Sequence, residues 1–270
     1  EMLYEPRAFS TMNFNGSGGL VMKSFFAFGA FLSGQLLEGR NYFEPRTEDL
    51  TQFSATAPYF YGGLWISSDY RQQFALDINV MYGQDRALFN ERVYEVSVSP
   101  RIRPNDRTMI IARINYTTNL GQNGYVNNLD DGTIFYGNRN IQSVNNVVDA
   151  SYNFNSRMAV SLRARHYWSK VVYNSFSELQ NDGYLTNSTY TGNHNRSYNA
   201  FTANIAYTWM FSPGSQLSLV WKNDIYNAAN AGTEWSDYLG IRPNNYFDNL
   251  NETFKSPQNN NLSLRLLYYI

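Results

Sequence analysis

From Met158 to Trp168 the chain reads Met-Ala-Val-Ser-Leu-Arg-Ala-Arg-His-Tyr-Trp, so that Met158, Val160, Leu162, Ala164 and Trp168 alternate with Ala159, Ser161, Arg163, Arg165 and Tyr167. Successive side chains of a β-strand point to opposite faces, which gives this strand one apolar face and one arginine-lined face. The dyad recurs in Phe74, Leu76, Ile78, Val80 and Tyr82 against Asp77 and Asn79, and in Tyr94, Val96, Val98 and Ile102 against Glu95, Ser97, Ser99, Arg101 and Arg103. It returns in Phe201, Ala203, Ile205, Tyr207, Trp209 and Phe211 against Thr202, Asn204 and Thr208, and in Leu262, Leu264, Leu266, Tyr268 and Ile270 against Ser263 and Arg265. A period of two repeated along the chain predicts an all-β protein.

Composition decides what the apolar faces look at. Charged residues make up 16% of the 270 residues, against roughly 25% in soluble domains. Aromatic residues reach 17%, with 22 Tyr, 18 Phe and 5 Trp, a balance that suits aromatic girdles around a membrane barrel. The formal charge of -1 gives no basic field for nucleic acid. The absence of cysteine removes disulfides, thiolate metal sites and cysteine nucleophiles. With mean hydropathy -0.47 and no apolar run near the roughly 18 residues of a helical span, membrane helices are excluded. A barrel is not, because only alternate strand residues face lipid. The opening Glu1-Met2-Leu3-Tyr4 has no initiator methionine, which reads as a mature or truncated product.

Connection lengths alternate. Short turns are expected at 68–72, 103–107, 155–157 and 212–215, rich in Pro, Asn, Asp and Gly, which preset or tolerate turn conformations. Long Asn/Gly/Tyr-rich connections are expected at 38–57, 121–140, 174–197 and 229–256. Outer-membrane barrels share this asymmetry of short periplasmic turns and long outer loops. Expected strands are 9–21, 25–37, 57–69, 74–86, 91–103, 108–120, 140–154, 158–173, 198–212, 216–228 and 257–270, about eleven in all. Single-chain bacterial barrels have even numbers of strands, so the expectation is an antiparallel up-and-down transmembrane β-barrel of which residues 1–270 form the C-terminal part; the alternative is that the first strand is misplaced, since Gly16, Gly18 and Gly19 weaken it. Rings at Tyr82, Tyr94, Tyr116, Trp168, Tyr207, Trp209, Trp221 and Tyr268 lie near predicted strand ends, where a headgroup girdle sits. A soluble sandwich would have short turns at both ends and more Lys, Glu and Asp.

The stretches 68–77 (SDYRQQFALD), 99–106 (SPRIRPND), 162–169 (LRARHYWS) and 211–222 (FSPGSQLSLVWK) resemble the C-terminal barrel of a Bacteroidota family of unknown function. The resemblance runs from about residue 40 onward. It implies an outer-membrane location and, in the whole protein, an N-terminal module similar to carbohydrate-binding domains; it implies no catalytic residues.

Charges at inward positions must meet water or one another, since in lipid each costs a few kcal/mol near the midplane. Asp77, Glu95, Arg101, Arg103, Arg113, Asp149, Arg163, Arg165, Lys222, Asp224 and Arg265 are therefore read as lining a polar lumen, either with the arginines as an electropositive wall that attracts anionic solutes or, favoured because both signs are present, as an arginine–carboxylate ladder that fills it. The two histidines, His166 and His194, are read as a girdle residue and an exposed loop residue. Asn128-Leu129-Asp130-Asp131-Gly132 reads as a turn rather than a calcium loop. Tyr4-Glu5-Pro6-Arg7 and Phe43-Glu44-Pro45-Arg46 form a weak repeat, read as a turn with Glu and Arg facing water.

No cofactor or metal is expected. The expected role is a non-enzymatic channel or the membrane subunit of a cell-surface complex, with outer-membrane lipid around it and loops contacting glycan or protein. The alternatives are a barrel hydrolase using a histidine as base, and a soluble β-sheet adhesin.

Overall fold

The computed structural model describes residues 1–4, 7–85, 90–230 and 246–269. Glu5 and Pro6 of the first repeat motif, residues 231–245 of the last long connection, and Ile270 lie outside the described residues. The chain is all-β apart from one helix. In order, the strands are β1 (Met2–Leu3), β2 (Ala8–Phe9), β3 (Asn13–Val21), β4 (Ala27–Gln35), β5 (Gly39–Asn41), β6 (Ser54–Thr56), β7 (Tyr59–Ser67) and β8 (Phe74–Asp85). They continue as β9 (Arg92–Asn105), β10 (Thr108–Asn128), β11 (Ile134–Asn155), β12 (Met158–Leu179), β13 (Leu185–Asn187), β14 (Arg196–Ser212), β15 (Ser215–Asn230), helix α1 (Tyr246–Lys255) and β16 (Gln258–Leu267).

Eleven of these strands form one antiparallel sheet in the order β16-β15-β14-β12-β11-β10-β9-β8-β7-β4-β3, with β13 paired to the outer end of β12. Each of the eleven predicted strands corresponds to one of them. No pairing between β3 and β16 joins the ends, so among the described residues the sheet is open.

Five tight connections, at 22–26, 68–73, 106–107, 156–157 and 213–214, stand at one end. In three of them an Asp or Asn carbonyl oxygen accepts the backbone N–H two residues on, at Asp69–Arg71, Asn105–Arg107 and Asn155–Arg157, which substitutes for a ladder bond and fixes the turn. At 213–214 the proline is followed by Gly214 at φ +76, a conformation that glycine adopts without strain.

The long connections differ from expectation. Residues 121–140 are not a loop: β10 and β11 run on as a hairpin to a tip at 129–133, past bulges at 119–122 and 125–127. The tip closes through Leu129 N–H on the Thr133 carbonyl and through Asp131, which accepts from Thr133 N–H. Gly121 to Gly124 offer no apolar position, and Tyr125-Val126 and Ile134-Phe135-Tyr136 are consecutive apolar residues rather than alternating ones, so the extension carries no period-two signal. Likewise β12 extends to Leu179. The segment between β4 and β7, carrying the β5–β6 hairpin, folds back instead of extending. Glu44 accepts from Tyr125 N–H at 2.9 Å and the Arg46 guanidinium lies 4.3 Å from the Tyr125 ring centre, while Pro45 is fully buried. The second copy of the repeat motif is thus a clamp on β10, not a turn with Glu and Arg in water.

The glycines of β3 and β4 have a steric cause. A Cβ on Gly29 would come 2.6 Å from the Trp65 indole and 2.5 Å from the Gly18 carbonyl oxygen, and one on Gly19 would come 2.8 Å from the same indole. Three strands therefore pack as they do because glycine leaves room for one ring.

Candidate functional site: the polar face and its mouth cavity

Strand register sorts the side chains into two faces. One cross-strand row runs Phe74, Ile102, Ile110, Ala150, Leu162, Ile205, Trp221, Leu262. Other rows of this apolar face hold Leu64, Val80, Val96 and Tyr116, and Tyr152, Val160, Tyr207, Leu219 and Leu264. Many of these side chains are exposed, among them Leu64, Val96, Ile205, Leu219, Leu262 and Leu264. Measured from the row that starts at Phe74, the apolar stretch extends toward the open end on β8 and β9, from Phe74 to Tyr82 and from Ile102 to Tyr94, but toward the turn end on β15 and β16, from Trp221 to Leu217 and from Leu262 to Leu266. The band therefore crosses the strands diagonally, as a horizontal band crosses tilted strands. On this face the charged residues of the eleven strands among those described are Arg92 and Lys170, which lie beyond the band toward the long connections.

Asp77, Glu95, Arg101, Arg103, Arg113, Asp149, Arg163, Arg165, Lys222, Asp224 and Arg265 occupy the opposite register positions. The structure brings some together. Asp149 takes ion pairs from Arg113 and, at 3.7 Å, from Arg163, so one carboxylate on β11 joins strands on both sides. Glu95 accepts from Asn115 at 2.9 Å and Arg165 donates to Asn145 at 2.8 Å. At the turn end Asp77 accepts from Ser67 and Tyr70, and the Arg101 guanidinium stacks 4.4 Å over the Tyr70 ring. Lys222, Asp224 and Arg265 stand at the β15–β16 side of the sheet, outside the Asp149 cluster.

Of the aromatic residues, Tyr82 and Tyr94 pair at 5.1 Å between ring centres, Tyr207 contacts Phe154, and Trp209 and Tyr268 flank Phe211. Tyr116 and Trp221 are exposed on the same face, and Trp221 donates to Asn260. Trp168 shares the face but is only 4% exposed. The ring of Tyr246 from α1 lies 5.9 Å from it and 5.4 Å from His166. His166 is buried too, with Nδ1 3.0 Å from the Tyr246 hydroxyl, so neither residue is an open girdle ring. His194 differs from expectation as well. It is half-buried among Tyr173, Phe176 and Tyr190, with Nε2 2.7 Å from the Tyr190 hydroxyl, and burial pushes its pKa down.

Where the 36–57 segment folds over the open end of the sheet, it encloses a cavity of about 710 Å³, within the usual size of small-molecule sites. Its walls include Glu44, Tyr59, Tyr61, Asp85, Glu91, Gln122, Asn123, Tyr136 and Arg139. Tyr59 and Tyr61 stack with ring centres 6.1 Å apart. Arg139 is fixed by Gln122 at 2.9 Å and by the Tyr173 hydroxyl at 3.1 Å. Glu91 is pushed up to about 7, first by burial and then by the neighbouring Asp85, while Arg139 pulls the other way. Raised carboxyls in clefts mark places where charge is held out of water. Sequence reading missed this group because its members come from four distant segments; the one local sign was Glu44 in the repeated motif. Among the described residues no three His, Asp or Glu side chains form a metal site.

No curated protein matches the chain. The profile of a domain of unknown function, DUF5916, matches residues 1–270. Matched from end to end, the chain belongs to the DUF5916 family.

Proposed function

We propose that this sheet is part of the wall of an outer-membrane β-barrel, with its apolar band against lipid and its polar face toward a water-filled lumen. The protein acts as a channel component or as the membrane part of a cell-surface complex. One observation carries the reading: a diagonal band of exposed apolar side chains, free of charge in the described strands, backed by a face that holds the arginines and carboxylates. In water a patch of that extent is a liability; in a bilayer it is the outer surface of a barrel. The long connections and the mouth cavity then stand at the outer rim, where tyrosine rings and amides suit a glycan or protein partner.

The reading also demands closure. Unpaired strand edges are not tolerated in hydrocarbon, and β3 and β16, first and last of an eleven-stranded meander, run in the same direction. Antiparallel closure therefore takes an odd number of additional strands. Two measurements test the proposal. The intact protein should fractionate with outer membranes and resist extraction without detergent, and it should conduct ions in planar bilayers if the lumen is open. Recovery in a detergent-free wash would refute the membrane wall; a membrane-embedded but silent protein would assign it to the docking role.

A further inference from the structure

Helix α1 sits on the apolar face of β14 and β15, at the open-end border of the band. Its residues divide into three arcs at 3.6 residues per turn. Asn249 and Thr253 are buried and face the sheet, where Asn249 lies 3.5 Å from Asn199. Asp248, Asn251 and Lys255 form an exposed polar arc. Tyr246, Phe247, Leu250 and Phe254 form the third. A helix that covers a sheet in water turns its apolar arc onto that sheet. This helix gives the sheet Asn249, Thr253 and the Tyr246 ring at one end of the apolar arc, and leaves Phe247 74% and Phe254 46% exposed at the other.

The direction of the apolar arc is fixed by two contacts on β14. Asn249 meets Asn199, whereas the Phe254 ring lies 4.9 Å from Phe201, two residues closer to the band at Ile205. The apolar arc thus looks toward the band and the polar arc away from it. Pro257 comes two residues after the helix ends at Lys255 and cannot continue it, so the chain turns from α1 straight into β16, whose Leu262, Leu264 and Leu266 belong to the band.

We infer that α1 is an interfacial strap, whose Phe247–Phe254 arc enters the boundary between headgroups and acyl chains of the outer leaflet while its polar arc stays in water. The inference rests on the membrane reading above. It also explains why His166 and Trp168 are covered: the strap occupies that stretch of the interface in their place. Such helices bind by an apolar arc set against a charged one.

Residues 1–270 contain no cysteine, so once any cysteine elsewhere in the intact protein is replaced by serine, single nitroxide labels go in without background. Phe247→Cys, Asp248→Cys and Leu264→Cys are labelled in the intact protein in phosphatidylcholine/phosphatidylglycerol vesicles, and collision with oxygen is compared with collision with a water-soluble nickel chelate. Phe247 and Asp248 are both exposed, so a label at either stands at the helix surface, and circular dichroism of each labelled variant checks that the fold is kept. The expected result is an oxygen-to-nickel ratio several-fold higher at 247 than at 248, and higher still at 264. A lipid-like ratio at 264 with equal, water-like ratios at 247 and 248 would overturn the strap and leave the membrane wall standing. A water-like ratio at 264 would overturn both.

Discussion

Leu162 and Arg163 are adjacent in β12, yet their surroundings share almost nothing. Leu162 lies in a row with Ile205 on one side and Ala150 on the other, and carries the apolar band from β11 to β14. Arg163 reaches the Asp149 carboxylate that Arg113 also holds, across three strands. The backbone ladder under them is continuous, so what separates the faces is side-chain chemistry alone. The apolar face makes few specific contacts and many exposed ones, whereas the polar face spends its charges on one another. Such a division suits a wall between two solvents better than a domain in one, since a soluble sheet turns its apolar side onto a core of its own.

Substitutions that exchange the faces test this most strongly. Leu162→Arg places a charge in the band and should cost about 2–4 kcal/mol of folding stability in lipid vesicles, whereas Ser161→Arg, one residue away on the polar face, should cost well under half of that. Equal effects in urea titrations of the two variants would break the comparison.

Next in size is a pH effect at the mouth. Glu91 ionises near pH 7 in the folded chain, above its ordinary 4.5. The protonated carboxyl is therefore favoured by folding, and stability present below pH 4.5 is lost as pH rises through 7. The loss is on the order of 3 kcal/mol. Glu91→Gln should flatten thermal stability between pH 5 and pH 8 and exceed the natural chain at pH 8. A slope that persists in the variant would show that another group carries it.

The smallest effect belongs to the ion pairs. Asp149→Asn leaves Arg113 and Arg163 facing each other, but all three side chains are substantially exposed, so the cost should stay below about 1 kcal/mol. Its sharper readout is conductance: loss of the shared carboxylate makes the lumen more anion-selective. Unchanged selectivity would place this cluster away from the ion path.

How far the sequence led depended on periodicity. Every strand of the meander was legible where one face is apolar and the other polar, as in β8, β9, β12 and β14. Beyond Leu120 on β10 the dyad stops, because Gly121, Gln122, Asn123 and Gly124 leave neither face apolar, and the pairing that continues there is a backbone property. Helix α1 was missed inside a long connection, although Tyr246, Leu250 and Phe254 stand at helical spacing before Pro257. The burial of Trp168 and His166 follows from that helix, some 80 residues further along the chain, and local patterning holds no sign of it. The mouth cavity was hidden for the same reason, since Glu44, Asp85, Glu91 and Arg139 meet only after the 36–57 segment folds back.

The most direct test of the two-solvent wall is a nitroxide scan of β9 from Tyr94 to Ser99 in the intact protein reconstituted in vesicles. The account predicts a strict period of two, with oxygen access high at 94, 96 and 98 and nickel-chelate access high at 95, 97 and 99. Water-like access at 94, 96 and 98 would contradict it.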